Sequence, residues 1–126
     1  SERMIVGMDI DDTITRHPKF CALISQALVA AGHQVVLITF RADREGTAAE
    51  LSEWGIAYTE LITSTLDEHL ETGIDEWKGV VCRRMGVELF FEDTPEVIRH
   101  VDPEIVSFLV VNHDRHRLDL LAEADQ

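Results

Sequence analysis

The sequence predicts an α/β domain with a three-layer, Rossmann-like fold: a five-stranded parallel sheet with helices on both faces. Short apolar runs alternate along the chain with segments of helical periodicity. The apolar runs are nearly continuous, which is typical of strands buried on both faces. The chain has 126 residues, of which 45% are hydrophobic and 28% charged, and this is enough for one domain with its own core. We therefore expect a single domain over residues 1–126.

The first half of the chain carries clear start and stop signals. Pro18 suits the first turn of a helix, and the apolar residues after it keep helical spacing until Gly32. Gly55 ends the next helical segment in the same way. The predicted elements are a strand at 3–9, a helix from Pro18 to Gly32, a strand at 35–40, a helix at 44–54 and a strand at 56–61.

The second half is predicted to begin with a polar, acidic connection over residues 62–73. A helix follows at 74–85, because Ile74, Trp77, Val81 and Met85 recur on one face before Gly86. The remaining predicted elements are a strand at 87–91, a short helix capped by Thr94 with Pro95 at its first position, and a strand at 105–111. The polar residues 112–126 are left unassigned.

Acidic residues follow the first and fourth predicted strands. Asp9, Asp11 and Asp12 lie within four residues, and Glu92 and Asp93 come directly after residues 87–91. Burying such carboxylates is costly unless a cation or hydrogen bonds compensate them, and Mg²⁺ prefers oxygen ligands. All strand C-termini lie along one edge of a parallel sheet. If strands one, two and four are neighbours, we expect a magnesium site there.

Each of these residues also has a purely structural interpretation. Asp11 and Asp12 could be turn and cap residues, and Glu92 and Asp93 could form a helix N-terminal turn, which is compatible with metal binding. Thr39 could be an ordinary strand residue or a hydroxyl that binds phosphate at the end of strand two. The remaining candidates carry nitrogen. Arg41 could be a solvated loop charge or a functional residue, and Lys78 could be a surface lysine of its helix or a site residue. His17 could reach the site mouth, and His113 and His116 have a helical metal-site spacing, which is weak support alone.

These residues together resemble the motifs of the haloacid dehalogenase-like (HAD-like) phosphatases over nearly the whole chain. The first motif is Asp9-Ile10-Asp11-Asp12-Thr13, and the second is Val36-Leu37-Ile38-Thr39. Arg41 then looks like the threonine-x-arginine of several nucleotidase-like members. The third motif would be Lys78. The fourth, Leu89-Phe90-Phe91-Glu92-Asp93-Thr94-Pro95, is similar to the Glu-Asp form of the β-phosphoglucomutase group.

The resemblance implies a role for each residue. Asp9 would be the nucleophile that forms an aspartyl-phosphate, and Asp11 would protonate the leaving group and then activate water. Mg²⁺ would be held by Asp9, the backbone carbonyl of Asp11, and Asp93, with Glu92 as a direct or an indirect ligand. Thr39 and Lys78 would hold the phosphoryl oxygens. Since the sequence lacks a cap module, we expect an open site with modest selectivity, unless a second subunit of a homo-oligomer supplies the lid.

Composition limits the partners. A formal net charge of −13 disfavours non-specific nucleic-acid binding, so the expected substrate is a phosphorylated small molecule or macromolecule. The apolar runs are too short to span a membrane, no stretch reads as a signal peptide, and we expect a cytoplasmic location. Cys21 and Cys82 fall in apolar helical patterns and are expected to be reduced core thiols.

Two alternatives to an enzyme remain at this point. One is a catalytically silent HAD-like protein that only binds its ligand. The other is a response-regulator receiver domain, a phosphorylation switch that also has an acidic pair and bound magnesium. A receiver would need an Asp at the end of strand three and a Lys at the end of strand five, whereas residues 56–64 lack Asp and Val111-Asn112-His113 lacks Lys.

Overall fold

The computed structural model describes residues 2–115. Its elements in chain order are β1 (Ile5–Met8), α1 (Pro18–Ala30), β2 (Gln34–Ile38), α2 (Arg44–Glu53), β3 (Glu60–Ile62), α3 (Leu66–Thr72), α4 (Trp77–Met85), β4 (Leu89–Glu92), α5 (Pro95–Arg99) and β5 (Val106–Leu109). A turn over Ile10–Ile14, in which Asp11 and Asp12 have non-helical dihedral angles, lies between β1 and α1. Within residues 2–115, no helix is both long enough and apolar enough to span a bilayer.

The five strands form one parallel sheet in the order β3-β2-β1-β4-β5. At the centre of the sheet, Gly7 of β1 lies opposite Val36 of β2 and Phe90 of β4. A side chain at Gly7 would press on Phe90, because an added Cβ would lie 3.0 Å from that ring. The predicted five-stranded parallel α/β fold is confirmed, and strands one, two and four are neighbours as the site prediction required.

Helices cover both faces because successive strand residues point to opposite sides. On one face the buried side chains come from the central strands, α1 and α2: Val6, Met8, Val35, Leu37, Cys21 and Leu51. On the other face they come from β2, β4, α4 and α5: Val36, Ile38, Phe90, Trp77, Val81, Cys82 and Val97. Both cysteines are buried free thiols, as predicted. The result is the expected three-layer arrangement.

The strand order bears on the receiver alternative. Receiver domains have the flavodoxin-like order 2-1-3-4-5, in which strand three lies beside strand one. In this chain β4 occupies that place and β3 lies at the edge beyond β2. The C-terminus of β3 is therefore separated from Asp9 by a whole strand, and the receiver interpretation does not fit.

The connection predicted over residues 62–73 is wrong, since this segment contains α3. The Thr65 side chain accepts a hydrogen bond from the backbone N–H of Glu68 at 3.2 Å, and Asp67 and Glu68 lie in the first turn. Thr65-Leu66-Asp67-Glu68 fits the Ser/Thr-x-x-Glu pattern of a helix start. The strand before it is also shorter than the predicted segment 56–61 and lies further along the chain, because only Glu60, Leu61 and Ile62 pair with β2.

The starts of α4 and α5 differ in part from the prediction. α4 begins at Trp77 instead of residue 74, and Ile74 is exposed while Trp77 and Val81 are buried. Gly86 ends α4 as predicted, with a left-handed φ of 71° that suits glycine. Thr94 does precede α5, with Pro95 at its first position, but its side chain makes no capping hydrogen bond to the helix. Its hydroxyl lies 3.4 Å from Asp93 Oδ1 instead.

Candidate active site

The carboxyl ends of β1, β2 and β4 bring four predicted site residues to one edge of the sheet. Asp9, Thr39, Glu92 and Asp93 are all buried there. Carboxylate oxygens of Asp9, Glu92 and Asp93 lie within 4.8 Å of one another. We call these three residues the acidic cluster. Burying carboxylates this close together is costly unless bound protons or nearby positive charge compensate them.

The backbone turns immediately after Asp9. The Asp9 N–H still donates to the carbonyl of Phe91 at 2.9 Å, so Asp9 is anchored to β4. Asp12 then adopts a φ of 65°, a left-handed conformation that Asp tolerates better than most residues. The turn brings the Thr13 hydroxyl back to Asp9, where it donates to Oδ2 at 3.1 Å. Asp12 is therefore a turn residue, as its structural interpretation from the sequence expected.

Lys78 lies in the first turn of α4 and its ammonium reaches the acidic cluster. Lys78 Nζ donates to Asp9 Oδ1 at 2.5 Å and to Glu92 Oε2 at 3.0 Å. The same nitrogen lies 4.6 Å from the centroid of the Phe40 ring. The Lys78 side chain is only 3% exposed, so it is a buried cation and not the surface lysine of the alternative interpretation.

Burial and mutual charge shift the pKa values of this group. Burial raises the pKa of Asp9 well above its usual value, and Lys78 opposes this rise. Burial also raises the pKa of Glu92, again against Lys78. Burial acts to lower the pKa of Lys78, but the two carboxylates outweigh it and the pKa is raised. One ammonium is thus shared by two carboxylates, an arrangement that favours a further cation.

The third carboxylate of the acidic cluster has a different partner. Asp93 Oδ2 accepts a hydrogen bond from Arg115 Nη1 at 2.5 Å, and the same nitrogen donates to Asp12 Oδ2 at 2.8 Å. Sequence reasoning missed Arg115. Only its place after β5, at the same sheet edge as the other site residues, could have indicated it.

Asp11 lies at the rim and is turned toward Arg41. Arg41 Nη2 donates to Asp11 Oδ1 at 2.8 Å, and the Asp11 side chain is 56% exposed. Arg41 also donates to Glu50 at 2.6 Å, and its pKa is raised chiefly by the hydrogen bonds that it donates to Asp11. The predicted roles of Asp11 as proton donor and of Arg41 as substrate ligand stay predictions.

Thr39 follows β2 and its hydroxyl accepts a hydrogen bond from the backbone N–H of Arg41 at 3.1 Å. This contact holds the start of the loop that carries Arg41. The predicted role of Thr39 as a ligand of the phosphoryl group stays a prediction.

A small cavity opens onto the acidic cluster. Its volume is about 140 Å³. It is lined by Phe40, Thr94, the cations Lys78 and Arg115, and five acidic residues: Asp9, Asp11, Asp12, Glu92 and Asp93. A larger cavity of about 350 Å³ lies between α1 and β5, but its walls are mainly apolar and its one ionisable imidazole is that of His17. The smaller cavity is the candidate active site, because it alone of the two is lined by carboxylates and a buried ammonium.

The donor set of the acidic cluster fits a hard divalent cation. Asp9, Glu92 and Asp93 offer carboxylate oxygens, the ligand type of Mg²⁺ and Ca²⁺. The carboxylate of Asp11 is not part of this cluster; the family resemblance assigns only its backbone carbonyl to the metal. The identity of the metal stays a prediction.

The histidines considered from the sequence have other places. His17 Nε2 lies 2.9 Å from Asn112 Oδ1, and Asn112 in turn donates to the backbone carbonyl of Asp12 at 2.8 Å. Through Asn112, His17 therefore helps to hold the turn that follows Asp9. The His113-x-x-His116 pair is not assessable as a site, since His116 lies outside the described residues.

Comparisons with family models, with curated proteins and with solved structures give no match to this chain. The case for any function therefore depends on the residues and their geometry.

Proposed function

We propose that this chain is a magnesium-dependent phosphatase of the HAD-like type, acting through an aspartyl-phosphate on Asp9. One observation carries the proposal. A buried aspartate at the end of the central strand lies 2.5 Å from a buried lysine, and two further buried carboxylates complete a cluster within 4.8 Å. Nucleophile, cation and metal ligands are the components that phosphoryl transfer requires.

Asp9, Glu92 and Asp93 would hold the metal, and Lys78 limits how many of their charges the metal must offset. When bound, Mg²⁺ supplies positive charge to the phosphoryl oxygens and so favours the approach of two anions. The protein's own groups account for the other parts of the reaction.

In the first half-reaction, a carboxylate oxygen of Asp9 attacks phosphorus, and the bond from phosphorus to the leaving-group oxygen breaks. The carboxyl group of Asp11 transfers its proton to that oxygen, so an alcohol leaves and Asp11 becomes a carboxylate. Asp11 lines the cavity but pairs with Arg41, so it must exchange this partner to act. A substrate phosphate that attracts Arg41 would release it.

In the second half-reaction, a water molecule attacks the phosphorus of the aspartyl-phosphate. Asp11 accepts the proton of this water, and the bond from phosphorus to the Asp9 oxygen breaks. Inorganic phosphate leaves, while Asp9 is again a carboxylate and Asp11 again an acid. The Thr13 hydroxyl, which donates to Asp9 Oδ2, orients the carboxylate for the next turnover.

Lys78 is suited to hold an oxygen of the phosphoryl group, because its ammonium lies beside the Asp9 carboxylate that would attack phosphorus. The cavity is too small for a whole metabolite: its volume of about 140 Å³ is below the roughly 300 Å³ of the smallest usual ligand pockets. We infer that only the phosphoryl group enters, and that the remainder of the substrate lies against the rim near Arg41. This supports the expected modest selectivity among small phosphates.

The test is hydrolysis of a generic aryl phosphate with and without Mg²⁺. Wild-type protein should be active only with the metal, and Asp9→Asn should lose activity by several orders of magnitude because it removes the nucleophile. Asp67→Asn removes an exposed carboxylate from α3 and should retain activity. Metal binding without hydrolysis of any phosphate ester tested would instead identify a silent binding protein and contradict the proposal.

A further inference from the structure

Arg115 contacts the acidic cluster from outside the sheet. Its Nη1 atom bridges Asp93 Oδ2 at 2.5 Å and Asp12 Oδ2 at 2.8 Å. The Asp93 side chain is 2% exposed, whereas that of Arg115 is 45% exposed. A cation that is half in solvent thus neutralises a carboxylate that is fully buried.

The cations at this edge are divided between the three carboxylates. Lys78 donates to Asp9 and Glu92, and Arg115 donates to Asp93. A divalent cation at Asp93 would compete with Arg115, because both cations seek the same carboxylate and repel each other.

The backbone beside Arg115 is held by other contacts. Asn112 donates to the Asp12 carbonyl at 2.8 Å, and Arg16 Nη1 donates to both carboxylate oxygens of Asp114 at 2.9 Å. The guanidinium of Arg115 can therefore leave Asp93 while the chain on its N-terminal side stays in place. Its release costs little desolvation energy, since half of the side chain is already in water.

We propose that Arg115 and the divalent cation are alternative partners of Asp93, so that the chain carries its own competitor for the metal. The inference rests on the proposed function in one respect, that the acidic cluster binds a divalent cation. Its consequence is regulatory: Arg115 lowers the affinity for Mg²⁺ and compensates Asp93 whenever the metal dissociates.

The test is calorimetric titration of chelator-treated protein with MgCl₂, without any substrate. Arg115→Gln keeps a polar side chain but removes the charge. Its Kd for Mg²⁺ should be about fivefold lower than that of the wild type, the worth of a half-exposed ion pair. Arg83→Gln is the matched control, because Arg83 pairs with Asp102 and not with a carboxylate of the acidic cluster. It should leave the Kd within about twofold.

Thermal unfolding provides a second measurement. In chelator, Arg115→Gln should melt below the wild type because Asp93 loses its cation, and Mg²⁺ should raise its melting temperature by more than it raises that of the wild type. An unchanged or weaker affinity in Arg115→Gln, or an equal gain in Arg83→Gln, would overturn the inference.

These outcomes are separable from failure of the proposed function. Tighter Mg²⁺ binding by Arg115→Gln in a protein without phosphatase activity would refute the phosphatase and leave the competition standing. Absence of Mg²⁺ binding by both proteins would refute the two proposals together.

Discussion

Replacing Lys78 with methionine should strongly destabilise the protein, because the buried carboxylates of Asp9 and Glu92 would lose their cation. Methionine matches the length of the lysine side chain but removes the ammonium that donates to Asp9 at 2.5 Å and to Glu92 at 3.0 Å. The side chains of these carboxylates are 4% and 1% exposed, so water cannot take the place of the ammonium. Removing one partner of a buried ion pair typically costs about 3–5 kcal/mol.

The assay is urea unfolding in chelator, with the free energy of unfolding compared between variants. The only other lysine of the chain, Lys19, is exposed, and Lys19→Met should change the free energy by less than about 0.5 kcal/mol. Adding Glu92→Gln to Lys78→Met should recover part of the loss, because one uncompensated charge is removed. If Lys78→Met unfolded within about 1 kcal/mol of the wild type, the reasoning about this buried charge would be refuted.

Two further predictions concern the packing of α4 and the thiols. Gly79→Ala should destabilise the protein by about 1–3 kcal/mol in urea unfolding, because a Cβ there would overlap the carbonyl oxygen of His100. Val80→Ala, on the half-exposed side of the same helix, is the control. An equal loss of stability in both variants would contradict this prediction. Burial raises the pKa of Cys21 to about 11 and that of Cys82 to about 12 from a usual value of 9.0. Because the folded state keeps these protons and the unfolded state loses them above pH 9.0, the free energy of unfolding should fall as the pH rises from 9 to about 11. Cys82→Ala should make this fall shallower, and a slope identical to that of the wild type would count against the assignment.

Much of the fold could be predicted because local signals agreed with one another. Apolar runs located the strands, and Gly32, Gly55 and Gly86 ended helices where the chain needs positive φ. The helix α3 was missed because its composition is polar and acidic, although the Thr65-x-x-Glu68 pattern does mark its start.

The site divides in the same way. Asp9, Glu92 and Asp93 could be placed together from the sequence, because strand ends share one edge of a parallel sheet. The contact of Lys78 depends on the rotation of α4, which periodicity alone does not determine. The pairing of Arg115 with Asp93 joins residues 22 positions apart across β5, and no local pattern encodes it. Such contacts depend on where the chain returns, and on which of several nearby carboxylates an arginine selects.

The most direct test of the central claim is detection of phosphate on Asp9. The protein is mixed with an aryl phosphate and Mg²⁺, quenched in acid during turnover, digested, and analysed by mass spectrometry of the peptide that contains Asp9. If Asp9 is the nucleophile, the peptide should carry a phosphate on Asp9 that is labile to hydroxylamine, requires Mg²⁺, and is absent in Asp9→Asn. Hydrolysis of the substrate with no covalent phosphate on Asp9, or with phosphate on another residue, would contradict it.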